Sequence, residues 1–133
     1  MIPAFDEHGY LPPGIHKADL EEIALRFAQQ SELRRAQMES LRWLVDAARR
    51  AGVARIVVNG SFVTDVVEPN DVDCVLLGGP GFPGDVEAEA ELVAGLPFLE
   101  IQLVERVAFD YLVQRFFATD RDDVPKGVVE VML

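Results

Sequence analysis

The chain has 133 residues, half of them apolar, which is the size of one domain able to bury an ordinary core. Lys and Arg total 12 against 23 Asp and Glu, a net charge of −11 that makes extended, sequence-independent nucleic-acid binding an unfavourable expectation. Cys74 is the single cysteine, so there is no internal disulfide, and no apolar run approaches the roughly 18 residues of a membrane span. The start carries Asp6 and Glu7 and lacks the basic-then-apolar layout of a signal peptide. These features predict a soluble, cytoplasmic protein.

Residues 1–18 hold Pro3, Gly9, Pro12, Pro13 and Gly14, and read as an extended arm or a set of turns. Phe5, Tyr10, Leu11 and Ile15 are the side chains able to pin it to a core. Asp19 and Glu22 have capping-box spacing and predict a helix over 20–29. Ser31 predicts the cap of a longer helix through residue 51, ended by Gly52. Its apolar stripe is Leu41, Leu44, Val45 and Ala48. Arg42–Asp46 and Asp46–Arg50 are oppositely charged neighbours one turn apart. A strand is expected over 54–59, a short helical segment over 61–66 and a turn at Glu68-Pro69-Asn70. A second strand is expected over 72–77. The Gly- and Pro-rich run 78–84 reads as a plain connector, without P-loop lysine or spacing. Asp85 caps a short acidic helix to residue 94. A third strand over 98–104, a mostly apolar helix over 105–117, a polar turn over 119–127 and a last strand over 128–133 complete the chain. The expected fold is α+β (mixed α/β): one domain over 1–133, with a single mixed sheet.

The chemistry concentrates in two places. Gly60-Ser61 ends one apolar run, and Asp71-Val72-Asp73 opens the next. Asp71 and Asp73 fall on one face if they lie in a strand, where they repel each other. A divalent metal between or beside them accounts for the pairing. Gly60 lets a phosphate approach the backbone, and Ser61 offers a hydroxyl and an N–H near a helix start. Two ions about 3.5–4 Å apart would activate an attacking hydroxyl and hold a triphosphate. Such a site needs a third carboxylate from a neighbouring strand, and Glu100 is the candidate. Taken singly, Gly-Ser is a turn and Asp-x-Asp a solvated strand end. Asp65 and Glu68 read as surface or capping residues, His8 and His16 as structural, Lys126 as a turn residue and Cys74 as a buried apolar group.

Gly60-Ser61, nine residues, then Asp71-Val72-Asp73 resembles the signature of the nucleotidyltransferase superfamily, with the DNA polymerase β-like fold. More narrowly, the chain resembles a family of small bacterial nucleotidyltransferase-like proteins. That likeness rests on Leu11-Pro12-Pro13-Gly14-Ile15-His16, Gly60-Ser61-Phe62-Val63-Thr64-Asp65, Pro69-Asn70-Asp71-Val72-Asp73, Asp120-Arg121 and Pro125-Lys126-Gly127. The resemblance implies helices mainly on one face of the sheet. It implies Mg²⁺- or Mn²⁺-dependent transfer of a nucleoside monophosphate from a nucleoside triphosphate, such as ATP, to a protein, RNA or small molecule, with release of pyrophosphate. Gly60 and Ser61 would hold the triphosphate tail, and Asp71 and Asp73 the metal. Glu100 would stand where many members carry a third aspartate. Small proteins of this superfamily often work with a partner in toxin–antitoxin or defence systems, so a protein partner or homodimer is expected. The alternative is a fold that has lost catalysis and serves as an antitoxin or regulatory subunit. Glu100 in place of aspartate motivates it.

Overall fold

The computed structural model describes residues 1–133. Five strands, Ile15–Ala18 (β1), Val53–Asn59 (β2), Val72–Gly78 (β3), Leu99–Val104 (β4) and Val128–Val131 (β5), form one mixed sheet in the order β1-β5-β2-β3-β4. β2 runs antiparallel to β3 and β5, while β4 is parallel to β3 and β1 is parallel to β5. The helices are Leu20–Phe27 (α1), Glu32–Ala51 (α2), Val86–Ala94 (α3) and Arg106–Gln114 (α4). The fold class is the α+β arrangement expected.

Alternation along the strands sorts the sheet into two faces. Ile56, Val58, Val72, Cys74, Leu76, Val129 and Val131 pack with α1, α2 and α3 in the main core. The opposite face contributes Val57, Val75, Leu77 and Val128, covered by Phe109 and Val113 of α4. Three helices therefore share one face and the fourth takes part of the other. Arg55 holds α4 in place from below: it makes two hydrogen bonds to Glu130, at 2.9 and 2.7 Å, and its guanidinium lies 4.9 Å from the Phe109 ring centre.

The caps follow the sequence, with one change. Asp19 accepts the Glu22 N–H at 2.8 Å and Ser31 the Arg34 N–H at 3.1 Å. Glu22 does not close the capping box. Its carboxylate accepts the Ile2 N–H at 2.6 Å and ties the N-terminal segment to α1. Gly52 ends α2 at φ 89°, a left-handed conformation that suits glycine. The stripe Leu41, Leu44, Val45 and Ala48 is buried, as is Cys74. Arg50 pairs with Asp46 at 3.1 Å, but Arg42 turns away from Asp46 to Glu21 at 3.1 Å and Glu39 at 3.7 Å. The 78–84 loop connects and caps: Gly84 donates to the Ala51 carbonyl and Gly79 to that of Gly52.

Four expectations change. The arm 1–18 is not only an unpaired extended segment or a set of turns: Ile15–Ala18 joins the sheet as a strand beside β5. Gly127 donates to the Leu11 carbonyl and Val128 to that of Gly14, so Pro12 and Pro13 fall just ahead of the paired residues. The helix expected over 105–117 stops at Gln114, and a 3₁₀ turn at Phe116–Ala118 follows. There the 119–127 turn folds back, with Thr119 bridging Pro125 and Lys126 donating to the Ala118 carbonyl. The last strand likewise ends early, at Val131.

The fourth change concerns residues 61–66, which are helical only over Ser61–Val63. Arg34, on α2, is 1% exposed and explains why. Its guanidinium donates to the carbonyls of Phe62 (2.8 Å) and Thr64 (2.9 Å), and also to that of Val66. Those carbonyls are no longer free to extend a helix. Arg34 also donates to the Phe27 carbonyl at 2.9 Å, at the open C-terminal end of α1. One turn along, Gln37 donates to the Pro69 carbonyl at 2.6 Å. The two buried side chains thus grip both ends of the connection between Gly60-Ser61 and Asp71. Arg34→Met should lower stability by about 3 kcal/mol or more in urea denaturation, because it orphans several buried carbonyls at once. A loss below about 1 kcal/mol would mean that water already serves those oxygens.

Candidate functional site

β2 delivers Asn59 and Gly60-Ser61 to one end of the sheet, where β3 begins. Asn59 pairs with Asp73 across the β2–β3 ladder, and Asp73 pairs with Glu100 across the β3–β4 ladder. Laterally paired residues share a face, so Asn59, Asp73 and Glu100 form a row across three strands. This is the face that α4 covers only in part. Asp71 lies just outside β3, so its side chain is not fixed by strand alternation as expected. Its charge nevertheless acts on Asp73.

Asp73 is electrostatically disfavoured. Burial pushes its carboxyl up from the ordinary aspartate value, Asp71 and Glu100 push it further, and Lys126 pulls it down; no hydrogen bond contributes. Its Oδ2 lies over Gly60, where a Cβ would collide with it, and Gly60 has φ 76°. Gly60 is therefore required twice, by backbone conformation and by the carboxylate above it.

A cleft of about 900 Å³ opens at this end of the sheet. Its floor includes Asn59, Gly60, Ser61 and Asp73. One wall is the end of α4 and the turn after it, with Tyr111, Arg115, Phe116 and Phe117. The other comes from the 119–127 turn, including Asp120, Arg121 and Lys126, and from Tyr10 of the arm. Of the predicted site residues, Gly60, Ser61 and Asp73 line the cleft. Asp71 and Glu100 do not; Glu100 is exposed at the side of the row. A separate hollow of about 560 Å³ lies at the opposite end of the strands, between the 78–84 loop and the start of α4, and holds no predicted site residue.

Sequence reading missed Asn59. It is 1% exposed, and neither its Oδ1 nor its Nδ2 has a hydrogen-bond partner. The signal available was an amide ending an otherwise apolar strand, directly before Gly60. Lys126 was read as a turn residue, and it is one, yet it also faces Asp73 and Asp120 closely enough to pull both carboxyls down.

The donor set suits the implied Mg²⁺: Asp71, Asp73 and Glu100 offer only hard oxygen ligands, and the repulsion at Asp73 is what a cation relieves. As they stand, however, no three His, Cys, Asp or Glu side chains are close enough together to hold an ion. The donor chemistry fits, and the side chains are not drawn in around a metal.

Two measurements probe this end of the sheet. Asp73→Asn removes a carboxylate that is harder to ionise in the folded chain than in the unfolded one. The penalty is absent below the ordinary aspartate pKa, grows as pH rises through it, and is complete above the raised folded value. The variant should therefore be more stable than wild type at neutral pH, with the difference vanishing in acid; equal stability at both pH values would show that Asp73 is unperturbed. Asn59→Val removes a buried, unpartnered amide from a strand and should raise the free protein's stability by about 1–2 kcal/mol. Destabilisation would show that the amide is satisfied in solution.

No curated protein and no solved structure matches the chain. A family described as a family of unknown function, DUF6932, matches residues 3–132, nearly the whole length, and the chain belongs to that family.

Proposed function

We propose that the chain is a minimal nucleotidyltransferase. It moves a nucleoside monophosphate from a Mg²⁺- or Mn²⁺-bound nucleoside triphosphate to an acceptor that is a protein, an RNA or a small molecule. The acceptor oxygen attacks the α-phosphorus, the bond to the β-phosphate oxygen breaks, pyrophosphate leaves, and the acceptor's proton passes to solvent. The supporting observation is the junction of two features at one end of the sheet. Asp73 and Glu100 stand side by side with Asp71 next to them, and Gly60-Ser61 lies directly below Asp73 in the cleft floor. Asp71, Asp73 and Glu100 would hold the metal, which neutralises phosphate charge. Gly60 and Ser61 would receive the triphosphate tail, with the Ser61 hydroxyl and backbone N–H as donors. The acidic surface suits a small or protein acceptor better than extended nucleic acid. A protein partner or a second copy, as in a toxin–antitoxin or defence pair, would supply the remaining acceptor surface.

A second reading is a catalytically impaired binding module, an antitoxin or regulatory subunit. Two observations favour it: Glu100 lies outside the cleft, and no metal-holding group of three converges. Purified protein given α-phosphate-labelled nucleotide with Mg²⁺ or Mn²⁺ separates the two. Transfer of label to an acceptor, reduced about 100-fold or more in the Asp71→Asn, Asp73→Asn double variant, is the outcome the first reading requires. Labelling that persists in the double variant refutes the assigned site. No labelling, with a stable partner complex that tolerates both substitutions, establishes the second reading.

A further inference from the structure

Positive charge is scarce in this protein, and only part of it is committed. Ion pairs occupy Arg42, Arg50 and Arg55. Arg26 and Arg34 are spent on backbone carbonyls. Lys17, Arg35, Arg49 and Arg106 enter no ion pair, but they lie outside the cleft. Arg115, Arg121 and Lys126 enter none of the seven ion pairs, although acids outnumber bases 23 to 12. All three line the cleft beside Gly60-Ser61. Two large aromatic side chains stand among them: Tyr111 is 58% exposed and Phe116 59%, both on the cleft wall. Phe117 supports the Phe116 ring edge-on, with centroids 5.0 Å apart.

The wall is also braced. Tyr10 donates its hydroxyl to Asp120 Oδ2 at 2.6 Å, and Asp120 Oδ1 accepts the N–H groups of Asp122 and Val124. The arm thereby fixes the turn that carries Arg121 and Lys126. It also occupies Asp120, one of three acids in the cleft with Asp73 and Asp122. On the floor, the buried Asn59 amide has a donor and an acceptor with no partner inside the protein.

We propose that this wall is a nucleotide subsite, in which Lys126, Arg121 and Arg115 take the phosphate chain and Tyr111 and Phe116 stack the base. The inference builds on the nucleotidyltransferase reading but does not need the metal carboxylates. Unpaired cations alone would suit any polyanion. Exposed aromatic faces at the same wall select a flat base bearing phosphates over an acidic peptide.

Calorimetry in EDTA tests it, with each ribonucleoside triphosphate and inorganic tripolyphosphate as probes. At least one nucleotide should bind about tenfold or more tighter than tripolyphosphate, because stacking adds to charge. Lys126→Ala with Arg121→Ala should weaken both kinds of probe by about tenfold or more and flatten the dependence on salt. Tyr111→Ala with Phe116→Ala should remove only the advantage of the nucleotide. These side chains are exposed or half-buried, and an unchanged circular dichroism spectrum and melting temperature establish that the variants fold. Asp71→Asn with Asp73→Asn should hold or tighten metal-free binding, because it removes a carboxylate that competes with phosphate for Lys126. The subsite therefore stands if nucleotide binds but no label is ever transferred. Absence of nucleotide binding, tripolyphosphate binding as tightly as every nucleotide, or affinity unchanged on loss of Lys126 and Arg121 overturns it. So does an acidic peptide that binds more tightly than any nucleotide.

Discussion

The Arg34 guanidinium is the constraint from which the rest of the site follows. It is buried with no carboxylate partner and is neutralised by carbonyl dipoles from two segments. Burial lowers its pKa and the charge of Asp65 opposes that, but guanidinium starts so high that it stays protonated. A buried cation of this kind costs more than an apolar side chain unless every donor is used. Here the donors unite the end of α1, the 3₁₀ turn after Ser61 and the chain leading to Pro69. Phe62 and Val63 anchor the start of residues 61–70 in the core, and Arg34 and Gln37 fix the rest of the path to Pro69.

That path decides where the polar end of the sheet can be. One face is closed by α1, α2 and α3, and the other is closed by α4 only where Val57, Val75 and Leu77 need cover. Beyond them the same face continues as Asn59, Asp73 and Glu100, so one alternation changes from core to site within a single strand. The row is built against stability. A half-buried carboxylate among acids and a buried amide without partners both oppose folding. The Arg55–Glu130 pair and the apolar packing of α4 hold the surrounding scaffold in place. Such local conflict inside an otherwise consistent fold is characteristic of a functional position.

Much of this was legible from the sequence. Ser31, Asp19 and Gly52 marked helix ends because caps are local. Period-two alternation placed Glu100 on the face shared with Gln102, and the ladder then set it beside Asp73. What escaped depended on contacts distant in sequence. The pairing of Ile15–Ala18 with β5 joins residues more than 100 positions apart, and nothing local in a Pro-rich arm announces it. Arg34 and Gln37 lie on the same stripe as Leu41, Leu44 and Ala48, so two polar residues on a buried face were a readable but unused clue. The cleft walls were out of reach for the same reason: Tyr10, Arg115 and Lys126 meet only after the arm and the last turn fold together.

The central proposal is that a divalent ion belongs at Asp73 and Glu100 of the row, with Asp71 beside them. Paramagnetic broadening of backbone amides by Mn²⁺ tests it without reference to any reaction. The account predicts that low Mn²⁺ first broadens the amides of Gly60, Ser61, residues 71–74 and Glu100–Ile101, and leaves the 78–84 loop at the far end of the same strands sharp. Broadening scattered over the acidic surface, or centred on another group of carboxylates, would contradict it.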